Sequence, residues 1–232
     1  MVKVTYLEHS GFVLEYESCA LIFDYYKGTL PDLSDKEKIY VFVSHGHYDH
    51  FQKEIFDWKE QYGNITYILS ADVYESVARE WRPACLFVEA DRDYETEDLQ
   101  IHTLTSTDEG VAFVIRFKGK TIYHAGDLNW WHWEEEDDES WNLPMQAAYA
   151  KEIGKIEGEK IDIAFVPLDM RQGQQYYWGL DYYMRHTDTG CVFPMHMWEK
   201  GAYQKLMKEP AAASYRDRVM PVEEPQQTFQ CE

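Results

Sequence analysis

The chain predicts an α/β fold with two sheets flanked by helices, and three observations carry that expectation. Short runs of β-branched and aromatic residues outnumber helical patterns. Helical spacings nevertheless recur in both halves of the chain. Several apolar runs end abruptly in His or Asp, as strands do when they deliver polar side chains to one edge of a sheet.

The first stretch offers strands at Val2 to Leu7, Phe12 to Tyr16 and Ala20 to Asp24, with Ser10-Gly11 as turn residues between the first two. The next run, Ile39-Tyr40-Val41-Phe42-Val43, reads as a buried strand that empties into Ser44-His45-Gly46-His47-Tyr48-Asp49-His50, where Gly46 is expected to permit a sharp turn. Phe51, Ile55, Phe56 and Trp58 predict a helix over 51–62. Ile65 to Leu69 predicts a strand, and Asp72 to Trp81 a helix ended by Pro83. Leu86-Phe87-Val88, Leu99 to Leu104, Val111 to Phe117 and Thr121 to His124 follow as strands, the last two joined by a hairpin turn at Lys118-Gly119-Lys120. In the second half, helices are expected at Leu143 to Ile156, Gln174 to Arg185 and Lys200 to Lys208, with strands at Ile161 to Val166 and Cys191 to Phe193.

The chain has 232 residues, 45% of them hydrophobic, and no linker-like stretch, so residues 1–232 are expected to form a single domain. A net charge of -20 argues against nucleic acid and anionic membranes, because phosphate binding relies on Lys and Arg displacing counterions. Cys19, Cys85, Cys191 and Cys231 are scattered without CxxC pairing. No signal pattern opens the chain and no apolar run is long enough to span a bilayer, so the expectation is a soluble, reduced, cytoplasmic protein. The acidic run 134–139 lacks the glycine of a calcium loop and reads as a solvated surface stretch.

Three imidazoles and a carboxylate within six positions after a strand are metal-site chemistry. Nitrogen with carboxylate oxygen suits zinc, manganese or iron. Two later strands end in the same way, at His124-Ala125-Gly126-Asp127 and at Pro194-Met195-His196. Taken in order, His45-x-His47-x-Asp49-His50, then Gly126-Asp127, then His196 resemble the metallo-β-lactamase-fold hydrolase superfamily. With the opening Glu8-His9-Ser10-Gly11-Phe12, they are similar to the branch that includes L-ascorbate-6-phosphate lactonase and related metal-dependent hydrolases.

That resemblance implies a four-layer αββα sandwich of two mixed sheets. It also implies one or two divalent ions, zinc first, with manganese or iron as alternatives. One ion would take His45, His47 and a further His, the other Asp49, His50 and His196, with Asp127 bridging. The loop that should carry the further His reads Thr105-Ser106-Thr107-Asp108-Glu109-Gly110, without an imidazole. Asp108 is the substitute oxygen ligand there, so a one-metal site and an unequal two-metal site both stand. The implied chemistry is hydrolysis of a small lactone, phosphate or other ester by activated water, with Asp49 or Asp127 managing the proton and His9 assisting the leaving group. Trp130 and Trp131, just after Asp127, are expected at the cleft mouth. Arg171 is either a clamp for an anionic substrate or an ion-pair partner of Asp169. Rival readings are a phosphodiesterase or nuclease of the same fold, and a non-catalytic metal-binding or sensing protein.

Overall fold

The computed structural model describes residues 1–231, which divide into two compact units, 1–89 with 224–231, and Ala90–Glu223. The first unit is built on a seven-stranded mixed sheet. Its strands are β1 (Val2–Glu8), β2 (Gly11–Tyr16), β3 (Cys19–Phe23), β4 (Lys38–Val43), β5 (Ile65–Ser70) and β6 (Cys85–Val88), with a C-terminal strand, Thr228–Cys231, along the outer edge of β1. The pairs from that strand to β3 are antiparallel; β3 to β6 run parallel. The strands β3 and β4 are buried on both faces, which explains why they read as nearly continuous apolar runs. One face holds Val13, Ile22, Val41 and Tyr67, covered by Ile55, Phe56 and Trp58 from the connection between β4 and β5.

That connection is less helical than its spacing predicts. A single 3-10 turn, Lys53–Phe56, leads into the one-turn helix α1 (Trp58–Gln61). The Tyr67 hydroxyl takes the Ile55 carbonyl and the Lys59 ammonium takes that of Gly63, so side chains satisfy groups a longer helix would pair internally. The expected helix over 72–81 shrinks in the same way to a 3-10 segment, Ala71–Ser76, and Arg82 Nε captures the Val77 carbonyl. In both segments the apolar periodicity reports burial, not helix.

The second unit has a six-stranded mixed sheet of β7 (Asp93–Glu95), β8 (Leu99–Thr105), β9 (Val111–Phe117), β10 (Lys120–His124), β11 (Lys160–Pro167) and β12 (Asp188–Met195). From β7 to β10 the pairing is antiparallel; β10, β11 and β12 are parallel. The hairpin between β9 and β10 turns on Lys118 and Gly119, both at positive φ, as the two-residue loop suited to strand twist requires. The helices α2 (Leu143–Gly154) and α3 (Trp178–His186) pack with this sheet, Tyr183 of α3 stacking on Tyr123 of β10 at 4.9 Å. A short helix, α4 (Ala202–Leu206), follows β12. The acidic run 134–139 is exposed, as expected. Among the described residues no helix is long and apolar enough to cross a membrane, and none of the four cysteines is in a disulfide.

In both units the placement of the polar residues at the sheet edge follows from strand direction. β1, β3, β4 and β5 end at one edge of the first sheet, delivering His9, Asp24, the segment 44–50 and Asp72. β8, β10, β11 and β12 end at one edge of the second, delivering Asp108, Asp127, Asp169 and His196.

Candidate metal centre

In the first unit the histidine segment is held from beneath by Asp24, a residue the sequence reading did not single out. Parallel pairing of β3 with β4 aligns Phe23 with Phe42, and the Asp24 amide continues the ladder to the Phe42 carbonyl at 3.0 Å. The wholly buried Asp24 carboxylate then accepts from the Ser44 amide at 2.7 Å, the Ser44 hydroxyl at 2.6 Å and His50 Nδ1 at 2.7 Å. An ionised carboxylate only accepts, so His50 carries its proton on Nδ1 and presents the Nε2 lone pair. The Ser44 hydroxyl spends its proton on Asp24 and must accept from His45 Nδ1, 2.9 Å away, so His45 also presents Nε2. The rings of His45 and His50 lie 4.1 Å apart, and that of His47 lies 4.6 Å from His45.

Gly46 differs from expectation in its reason. It is not at positive φ; its amide donates to Asp72 Oδ2 at 2.7 Å, and a Cβ there would stand 3.2 Å from the same oxygen. Glycine allows close approach to Asp72 here, whereas Gly126 stands at a φ of 51°, where glycine bends the chain without strain.

His9, Asp49 and His50 each offer an atom within 4.8 Å of the others'. His9, itself at a φ of 56°, places Nε2 3.2 Å from Asp49 Oδ2. Burial, the largest influence on Asp49, raises its pKa, but the His9 hydrogen bond and the charges of His50 and His9 outweigh it, leaving a value of about 2.

In the second unit, Asp127, Asp169 and His196 meet at the ends of the three parallel strands. The register of β11 with β12 pairs Pro167 with Met195, and the Leu168 amide bonds the Met195 carbonyl, which brings Asp169 beside His196. Asp169 Oδ2 holds His196 Nδ1 at 3.0 Å, while Nε2 faces Asp127 Oδ2 at 3.4 Å. Burial, the leading influence, lowers the His196 pKa, yet the Asp127 and Asp169 carboxylates together push it up to about 10. An arrangement that stabilises an imidazolium so strongly also suits a cation at Nε2. His196 sits at a φ of 59°.

Asp108 and Asp127 offer carboxylate oxygens within 4.8 Å of each other. Their loops are tied by Thr107, whose hydroxyl accepts from the Asn129 amide at 2.9 Å and donates to the Asn129 carbonyl at 2.6 Å. Trp131 lies against His196, ring centroids 5.2 Å apart, with its indole N–H on the Asp127 carbonyl at 2.9 Å. Trp130 turns instead toward Trp178 and Tyr182 of α3. Arg171 forms the ion pair with Asp169, the second of its two expected roles.

Among sites the sequence reading left aside, Asp24 and Asp169 had a usable signal. Each follows an apolar strand directly or nearly so, the pattern that marked Asp127. In each unit the nitrogen and carboxylate donors suit a borderline divalent metal. His45, His50 and His196 are oriented through Nδ1 by a carboxylate or a carboxylate-bound hydroxyl, as metal-binding histidines characteristically are.

Residues 3–196 match the β-lactamase superfamily domain model, and the chain belongs to that family. The structure of Igni18, a metallo hydrolase from Ignicoccus hospitalis, shares the fold: TM-score 0.70, 19% identity, 99% of this chain and 98% of that one. Among sequence relatives, a metal-dependent hydrolase of Nanoarchaeum equitans is 27% identical over 210 residues, covering 84% of this chain and 83% of its own. Another from Alkaliphilus metalliredigens is 29% identical over 140 residues, 54% of this chain, a match spanning 63% of the relative's length.

Proposed function

We propose that the protein is a metal-dependent hydrolase of a small ester, with a lactone or a phosphate ester as the substrate class. The observation that carries this reading is the shared orientation of His50 and His196. A buried carboxylate takes Nδ1 of each, so Nε2 is the donor atom in both. As the family resemblance implies, Asp49, His50 and His196 would hold one divalent ion, and His45, His47 and Asp108 a second, with Asp127 available to either. Zinc is the first choice. Such an ion would supply Lewis acidity and a nucleophile at neutral pH.

The remaining work falls to the chain's own groups. Asp49 orients the nucleophile with the oxygen that need not bind metal, and Asp127 receives its proton. His9, whose Nε2 lies 3.2 Å from Asp49 Oδ2, assists the leaving group. Trp131, in contact with His196, lies on the substrate side. Residues 1–232 act as a single cytoplasmic hydrolase domain on a small molecule, and the net charge of -20 disfavours polynucleotide substrates.

The test is metal analysis of protein purified without chelator, followed by lactone, phosphomonoester and phosphodiester substrates assayed with zinc and with manganese. Bound transition metal, and turnover lost in His50→Ala and Asp127→Ala, are the expected results. Protein without metal, or turnover indifferent to both substitutions, overturns the reading.

A further inference from the structure

Arg171 grips Asp169 more completely than a surface ion pair requires. Its backbone amide reaches Oδ1 at 3.0 Å, Nε reaches Oδ1 at 3.0 Å and Oδ2 at 2.9 Å, and Nη2 reaches Oδ2 at 2.5 Å. Both carboxylate oxygens are thus engaged from one side by one residue. Asp169 is fully buried, and Oδ2 is also the atom that accepts from His196 Nδ1. The Arg171 guanidinium in turn lies 5.5 Å from the Trp198 ring centroid, and Trp198 stands edge-on to His196 at 6.3 Å.

A buried carboxylate needs compensation for lost solvent, and a planar guanidinium supplies it while fixing the plane of the carboxylate. Once that plane is fixed, the direction of the Oδ2 lone pairs is fixed, and with it the tilt of the His196 ring. His196 benefits from such a hold because its backbone leaves β12 in the left-handed region, outside the regular ladder. Lysine cannot substitute fully, since an ammonium is a point charge that does not pair both oxygens in a plane.

We propose that Arg171 is a positioning residue for His196, acting through Asp169 to fix the tilt of its ring and to aim Nε2 at the position shared with Asp127. This role is separate from any contact with substrate and rests on the reading of His196 as a metal donor.

The experiment uses the full chain stripped of metal, as wild type, Arg171→Gln, Arg171→Lys, Asp169→Asn and His196→Ala. Zinc affinity is measured by competition with a chromophoric chelator, and the His196 imidazole nitrogen shifts are measured by NMR in the zinc-free protein. Thermal unfolding of each variant establishes that it folds. Asp169→Asn is expected to lose about 10- to 100-fold in zinc affinity, and Arg171→Gln roughly tenfold, with Arg171→Lys between Gln and wild type. The imidazole shifts are expected to move in the same order. If Arg171→Gln keeps zinc affinity within about twofold of wild type and unshifted imidazole signals, the proposal is overturned. If only the Michaelis constant for an anionic substrate rises, Arg171 is a substrate clamp and not a positioning residue. Should Arg171→Gln fail to fold, Arg171→Lys decides by the same readouts. His196→Ala with undiminished zinc affinity would overturn the metal-donor reading instead, and the imidazole shifts would still decide whether Arg171 orients the ring.

Discussion

Replacing Asp24 by Asn tests the support beneath the histidine segment without changing its shape. The carboxylate receives three donors: the Ser44 amide, the Ser44 hydroxyl and His50 Nδ1. An asparagine that keeps its oxygen on the Ser44 amide turns an NH2 group toward the other two, setting donor against donor. His50 can relieve the conflict only by moving its proton to Nε2, the atom needed for metal. Hydrogen bonds to a charged group contribute about 1.5–3 kcal/mol each. Allowing for a rotated hydroxyl, the metal-free variant should lose about 2–4 kcal/mol of stability in urea unfolding. Zinc affinity, measured by competition, should fall about 10- to 100-fold, equivalent to about 1.4–2.7 kcal/mol. An Asn variant that unfolds at the wild-type urea concentration and binds zinc as the wild type does would refute the tautomer reasoning.

Three further outcomes follow from distances and charges. Gly179→Ala places a Cβ 1.8 Å from Asn129 Oδ1, and Asn129 is buried with its Nδ2 on Gln172 at 3.1 Å, so despite the better helix propensity of alanine the variant should lose about 1–3 kcal/mol; a raised melting temperature would contradict this. Asp49 has its pKa lowered on folding to about 2, so in the metal-free protein its contribution, about 2 kcal/mol, is present above its ordinary value of 3.8 and is lost as pH falls through about 2; urea midpoints should show this acid-side loss in wild type and less of it in Asp49→Asn. His196, with a pKa of about 10, is protonated at neutral pH in the metal-free protein, so zinc uptake there should release a proton that His196→Gln does not release, measurable by calorimetry in buffers of different ionisation enthalpy.

The parts of the fold legible in the sequence were those written locally. The run Ile39 to Val43 and the crowded segment after it announce a strand and its ligand-bearing end within a dozen residues, and the Lys118-Gly119 turn is fixed by two positions. Asp24 was hard to see because its role depends on Ser44 and His50, some 20 and 26 positions away, reached only when β3 pairs with β4 in parallel. Asp169 depends likewise on the alignment of Pro167 with Met195. The overlong helices expected over 51–62 and 72–81 arose because buried apolar residues recur at helical spacing in irregular segments too, where Tyr67 and Arg82 supply the hydrogen bonds that a helix would make internally. The strands Asp93–Glu95 and Thr228–Cys231 are too short to carry a period of their own.

His9 and His196 share a backbone conformation that side chains bearing a Cβ adopt at a cost, each with φ near +60°. Glycine at either place would relax the main chain while deleting the imidazole. A folding selection applied to this protein, blind to catalysis, should therefore drift toward glycine at both positions and yield a sturdier, idle molecule.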